Sequence, residues 1–131
     1  MKLEISLIFG AAGAFASVVW GPFNGVLIAL IAFISCDYIT GVAAGAVAGK
    51  LSSRVGFIGL LKKVLILLIV GLVNIAGTYL LDGNSILRDS VCLYYIGNEG
   101  ISILENLHEC GIKYPVKIEK LFESWRDDNN E

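Results

Sequence analysis

Long apolar stretches alternate with short polar segments along this chain. Residues 24–49 contain a single charge, Asp37, and residues 64–81 contain none. A helix needs about 20 apolar residues to cross the roughly 30 Å hydrocarbon core of a bilayer, so both stretches predict transmembrane helices. Residues 5–20 are also uncharged, but they are fewer and include two glycines. They predict either a thin first span or a helix that lies partly in the interface.

A fourth stretch, residues 90–107, is long enough to span but carries acidic residues. On a helical wheel that includes the residues just before it, one face is polar along its whole length. In a bilayer such a face must meet protein or water. Two interpretations stay open: an internal seam that joins Glu99 or Arg88 to Asp37 and Asn74, or an aqueous opening lined by several copies. The polar face and its margin comprise Arg88, Cys92, Tyr95, Asn98, Glu99, Ser102, Glu105 and Asn106.

The C-terminal segment, residues 111–131, turns at Pro115 and then shows helical periodicity. Its apolar residues recur at the spacing of one helix face, which predicts a short amphipathic helix on the membrane surface or against the bundle. These residues are Ile118, Leu121, Phe122 and Trp125, and an acidic end of Asp127, Asp128 and Glu131 follows.

These elements together predict an all-α membrane protein. Residues 1–131 form one domain with three to four transmembrane helices and the short amphipathic helix. The segment between residues 50 and 63 is read as a loop that carries four basic residues and no acid, and basic loops remain in the cytoplasm. This orientation places the C-terminus in the cytoplasm, whereas the side of the N-terminus depends on whether residues 5–20 span. The basic residues that determine the topology are Lys50, Arg54, Lys62 and Lys63.

Composition strengthens the membrane assignment. Of the 131 residues, 56% are hydrophobic and only 17% are charged, against roughly 45–50% and about 25% in ordinary globular chains. A soluble domain of this size has too little interior to bury so much apolar surface. A net charge of -2 also leaves no general basic surface for nucleic acid.

Asp37 lies in the middle of an apolar stretch, where an aspartate costs about 2.5–3.5 kcal/mol on insertion scales. We therefore expect the carboxylate to serve assembly or function, or to be paired within a helix bundle. Downstream, Gly41, Gly45 and Gly49 recur every four residues. Small residues at this spacing allow close helix packing in lipid, either within one chain or between copies.

Other chemistry is not indicated. His108 and Cys110 lack a second pair of metal ligands, and no serine or cysteine has a histidine partner within the predicted spans. A phosphate-binding glycine loop is also missing. The sequence therefore predicts no enzymatic activity, no metal and no cofactor.

Three short runs carry a resemblance to a known family. They are Asp-Tyr-Ile-Thr-Gly at residues 37–41, Lys-Leu-Ser-Ser at residues 50–53, and residues 95–106, which include Asn-Glu-Gly and Glu-Asn. Through these runs the chain resembles the toxin-secretion/phage-lysis holin family over residues 33–122. The last run is the most specific, because few apolar helices combine these polar residues.

The resemblance implies a protein that accumulates in the bacterial cytoplasmic membrane, self-associates and opens lesions at a set time. Endolysin, or a toxin without a signal peptide, would then leave through them. Polar faces hidden in early assemblies would become lumenal in larger ones. A different class of protein also fits the residues: a selective ion channel or small transporter with Asp37 and Glu99 as ion or proton sites. A non-conducting anchor or holin antagonist is a third reading.

Overall fold

A computed structural model of the protein describes residues 1–127, which are almost entirely helical. The predicted acidic residues Asp128 and Glu131 lie outside the described residues. The all-α fold class is confirmed. The five helices are α1 (Lys2–Trp20), α2 (Gly25–Val47), α3 (Ser53–Leu80), α4 (Ile86–Glu109) and α5 (Val116–Asp127).

Capping residues set the boundaries of the α2–α3 hairpin. The Asn24 side chain accepts a hydrogen bond from the backbone N–H of Leu27 at the start of α2. At the other end, Gly49 adopts a φ of +68°, a left-handed conformation that suits glycine after a helix. The prediction that Gly49 belongs to a packing face of this helix is wrong, because α2 ends at Val47.

The α3 helix begins earlier than the sequence suggested. The Ser52 hydroxyl accepts a hydrogen bond from the backbone N–H of Val55 and caps a helix that runs from Ser53 to Leu80. The prediction of a loop up to residue 63 is therefore wrong. Only the turn at residues 48–52 is non-helical, and Arg54, Lys62 and Lys63 all lie on α3.

Three helices, α1, α2 and α3, are long and apolar enough to cross a membrane. Residues 2–20 thus form a longer first helix than residues 5–20 suggested. Among the described helices, α4 does not meet the same test of length and composition, since it carries both acids and an arginine. A fourth span at residues 90–107 stays a prediction.

The α4 helix is the centre of the bundle and packs against α2, α3 and α5. Arg88, near the start of α4, bonds to Pro22 just before α2, and Asn106, near the end of α4, bonds to Thr40 within α2. These contacts show that α2 and α4 run parallel. The α1 helix packs mainly against α3, and none of its residues is buried.

The α5 helix folds back onto α4. Of its two predicted locations, the membrane surface and the bundle, it therefore occupies the bundle. A Cβ atom at Gly97 would lie 2.6 Å from the backbone oxygen of Phe122 and 2.7 Å from the backbone nitrogen of Arg126. At Gly100 a Cβ atom would lie 2.6 Å from the Phe122 ring. The two glycines therefore allow α5 to approach α4 closely. The Phe122 ring also meets Phe33 of α2 edge-to-face at 5.4 Å.

Candidate functional site

Three charged side chains from three helices meet inside the bundle. The Lys63 Nζ atom of α3 donates hydrogen bonds to Asp37 Oδ2 of α2 at 2.6 Å and to Glu99 Oε2 of α4 at 2.7 Å. The side chains are only 12%, 11% and 6% exposed, respectively. We call Asp37, Lys63 and Glu99 the ion cluster, and it ties the three helices together with one ammonium and two carboxylates.

Asn106 extends the ion cluster along α4. Its amide Nδ2 donates to Asp37 Oδ1 and to Thr40 Oγ1, both at 3.0 Å. Every fully buried side-chain nitrogen or oxygen within residues 1–127 has a hydrogen-bond partner. The cost of burying these polar groups is therefore largely offset.

Most of the predicted polar face of α4 points towards the interior of the single chain. Glu99 is joined to Asp37, as one interpretation anticipated, but the connection runs through Lys63, which the sequence had placed in a loop. A lumenal role for this face in an assembly stays a prediction. Of the predicted residues, Arg88, Cys92 and Glu99 are buried, Tyr95, Ser102 and Asn106 are half-buried, and Asn98 and Glu105 are exposed.

A second polar contact, which we call the Arg88 clasp, fastens α4 to the end of α1. The Arg88 guanidinium is buried and donates through Nη1 to the backbone oxygens of Trp20 and Pro22 at 2.8 and 3.1 Å. Asn74 of α3 donates to the backbone oxygen of Val19 at 2.9 Å. The clasp thus satisfies carbonyl groups that the end of α1 leaves without helical partners.

Gly21 lies at the centre of the Arg88 clasp with a φ of +77°. A Cβ atom there would come within 2.8 Å of Asn74 Oδ1 and 2.9 Å of Arg88 Nη1. We expect Gly21→Ala to lower the free energy of unfolding by about 1–2 kcal/mol, since left-handed backbone is unfavourable for L-residues. Denaturant titration in detergent measures this loss of stability. Gly25→Ala is the control, because its Cβ would meet nothing within 4 Å, and equal effects would contradict the prediction.

An open cleft of about 410 Å³ lies between α2 and α3 and ends at the ion cluster. Its floor is formed by α4. We call it the α2–α3 cleft. Its lining includes Asp37, Tyr38, Gly41 and Gly45 of α2, Lys50 and Ser52 of the turn, Gly56, Gly59, Lys62 and Lys63 of α3, and Asn98, Glu99, Ser102 and Asn106 of α4.

The predicted packing glycines of α2 border this cleft. A Cβ atom at Gly41 would approach only the Asn106 amide, at 3.6 Å, and one at Gly45 would meet Leu51 at 3.7 Å. Gly41 thus lies near α4 and Gly45 near the turn, while a packing role for these glycines between copies stays a prediction. Sequence reasoning missed the closest packing glycines, Gly97 and Gly100, whose role depends on the return of α5.

The described residues offer no other concentrated chemistry. Within residues 1–127, no three histidine, cysteine or acidic side chains come together in a way that could hold a metal ion. Cys36, Cys92 and Cys110 are not joined in disulfides. The ion cluster, the Arg88 clasp and the α2–α3 cleft are therefore the features that any function must explain.

The chain is similar in sequence to several known proteins. The chain is 37% identical over 121 residues to an uncharacterised protein of Listeria monocytogenes, covering 91% of this chain and 86% of the relative. It is 36% identical over 108 residues to an uncharacterised 14.9 kDa protein of Clostridium perfringens, with 82% of each covered. A probable holin of Bacillus phage phi105 is 37% identical over 95 residues, covering 72% of this chain and 70% of the phage protein. No solved structure matches.

The model of the bacteriophage holin family matches residues 14–127. The match includes α2 to α5 and the end of α1, and hence every residue of the ion cluster and the Arg88 clasp. The three apolar helices agree with a membrane protein. The chain therefore belongs to the bacteriophage holin family.

Proposed function

We propose that this protein is a holin that assembles in the bacterial cytoplasmic membrane and opens lesions at a set time. A cytosolic endolysin, or a toxin without a signal peptide, then leaves through them and the host lyses. The observation that carries the proposal is the family match over residues 14–127. The similarity to a probable phage holin and the three apolar helices support it.

Self-association is part of the proposal, and α1 supports it. Leu3, Phe9 and Phe15 of this helix are 72%, 74% and 66% exposed, and α1 is attached to the bundle near its C-terminal end only. Its apolar surface can contact lipid and the α1 helices of other copies. The C-terminus lies in the cytoplasm under the same proposal, because Lys50 lies in the turn between α2 and α3 and Arg54 follows it.

Regulated expression in a bacterium tests the proposal directly. Membrane potential and culture density are followed with and without a co-expressed endolysin that has no signal peptide. We expect sudden depolarisation in both cultures and rapid lysis only with the endolysin. Depolarisation without endolysin-dependent lysis would favour the selective channel instead, and slow growth inhibition without sudden depolarisation would refute a holin activity.

The ion cluster suggests how opening is timed. To line a lumen, the polar face of α4 must separate from α2 and α3, and its excess negative charge gains hydration when it does. Neutralising one carboxylate reduces this gain. Each substitution also removes one contact of Lys63 in the closed bundle, so we expect Glu99→Gln and Asp37→Asn each to shift the onset of depolarisation at equal expression.

Glu109→Gln is the matched control, since Glu109 is an exposed acid at the end of α4. It should leave the timing unchanged. If Glu99→Gln and Asp37→Asn also leave the onset of depolarisation unchanged, the polar-face mechanism is wrong, although the holin activity itself would stand.

A further inference from the structure

Glycines line the α2–α3 cleft at positions where larger side chains would fill it. A Cβ atom at Gly59 would meet nothing within 4 Å, and one at Gly56 would meet only the Tyr38 hydroxyl at 3.5 Å. Glycines that allow close helix packing have near neighbours, as Gly97 does. Gly56 and Gly59 instead leave the space open.

The outside of the same hairpin is apolar. Phe57, Leu60 and Leu61 of α3 are 67%, 50% and 48% exposed and suit contact with lipid. Lys62 follows directly, yet it lines the cleft and has no ion-pair partner within residues 1–127. A charged group at this position of an apolar helix needs water, which can come from the cleft or from the membrane interface that a long lysine side chain can reach.

The cleft has the size and polarity to hold that water. At roughly 30 Å³ for each water molecule, 410 Å³ accommodates about ten or more. Hydroxyl, amide and charged groups of α2, α3 and α4 supply hydrogen-bond partners along its length. Apolar side chains, Val42, Leu51, Val55 and Ile66, form the rest of the lining. Water is therefore held by the polar groups at the turn and at the ion cluster, each of which offers hydrogen-bond partners.

The inner end of the cleft carries unbalanced charge. The ion cluster contains two carboxylates and one ammonium, so it is negative by one unit when all three groups are ionised. Lys50 and Lys62 also line the cleft and oppose the entry of cations, but both are exposed and therefore well screened. The buried carboxylates are screened less, and they favour a cation close to them.

We propose that the α2–α3 cleft is an aqueous vestibule that admits water and small monovalent cations to the ion cluster from the membrane side that carries Lys50. The vestibule belongs to the single chain and needs no oligomer. It is therefore distinct from the proposed lesion and would exist even if the protein released no endolysin.

Thiol accessibility tests the vestibule in the full-length protein in lipid vesicles. The background carries Cys36→Ser and Cys110→Ser and keeps Cys92, which is fully buried. Gly59→Cys and the nearly isosteric Ser102→Cys place thiols in the cleft, whereas Leu60→Cys places one on the apolar side of α3. Membrane-impermeant methanethiosulfonate reagents, one positively and one negatively charged, are added on the side that carries Lys50.

We expect Gly59→Cys and Ser102→Cys to react at least about tenfold faster than Leu60→Cys, because reactive thiolate forms in water and not in hydrocarbon. Equally slow reaction would mean that lipid fills the cleft. Equally fast reaction would mean that the hairpin lies outside the membrane. Either result overturns the vestibule, provided that the variants retain the melting temperature of the background.

The reagent charge tests the cation preference. At Ser102→Cys, the positive reagent should react several times faster than the negative one, and Glu99→Gln should abolish the difference because the ion cluster becomes neutral. An equal or faster reaction with the negative reagent would overturn the assignment of a cation-favouring inner end.

Discussion

Lys63→Met is expected to lower the free energy of unfolding by about 3–5 kcal/mol, the usual cost of removing one partner from a buried ion pair. Without the ammonium, Asp37 and Glu99 would face each other inside the bundle with no counter-ion. The three helices would lose a shared polar contact, while the apolar core that also joins them would remain. Equilibrium unfolding in mixed micelles measures this loss.

Lys62→Met is the matched control for this experiment. Lys62 is adjacent in sequence and exposed, so its replacement should change stability by no more than about 0.5 kcal/mol. A second test combines Lys63→Met with Asp37→Asn and Glu99→Gln, which removes all three charges and should recover most of the lost stability. If Lys63→Met and Lys62→Met lower the free energy of unfolding by the same small amount, the ion cluster does not stabilise the bundle.

Gly97→Ala is expected to displace α5 from α4. Its Cβ atom would overlap backbone atoms of Phe122 and Arg126, which cannot rotate away as a side chain can. Overpacking of this kind costs about 1–3 kcal/mol, and docking of a single 12-residue helix has little stability to spare. Limited proteolysis within residues 111–127 should become markedly faster.

Gly59→Ala provides the comparison, because it adds the same methyl group within a helix where nothing lies within 4 Å. It should leave proteolysis unchanged or slightly slower, since alanine favours helix more than glycine does. A fluorescence measurement gives independent evidence: in a Trp20→Phe background, the emission of Trp125 should shift to the red in Gly97→Ala only. Unchanged emission and proteolysis would show that α5 tolerates the methyl group.

The apolar periodicity was sufficient to predict the helical fold, but it did not predict the full extent of α3. Lys62 and Lys63 were predicted to lie in a loop because residues 50–63 contain four basic residues and no acid. A detectable signal pointed the other way: Gly59, Lys63, Ile66, Val70 and Asn74 recur at spacings of three and four residues. One continuous helix face therefore links Lys63 to the buried core.

Two of the three residues of the ion cluster were identified as intramembrane polar residues from the sequence. Asp37 and Glu99 stood out because acids are costly in apolar helices, and a contact between them was one of two interpretations that the sequence left open. The packing of Gly97 against α5 could not be inferred in the same way, because it depends on a contact between residues far apart in sequence. Local patterns identify a glycine but do not indicate which helix returns to cover it.

The position of α5 gives each protomer two unlike flanks. Lys117 and Lys120 are exposed on this helix, whereas exposed leucines such as Leu65 and Leu68 cover α3. Acyl chains can border the α3 flank but not the α5 flank. In a closed ring of copies that keeps α5 docked, the α5 flank would face the opening or a neighbouring copy. Where it faces the opening, the lysines of α5 would meet water before the acids of α4 leave the ion cluster.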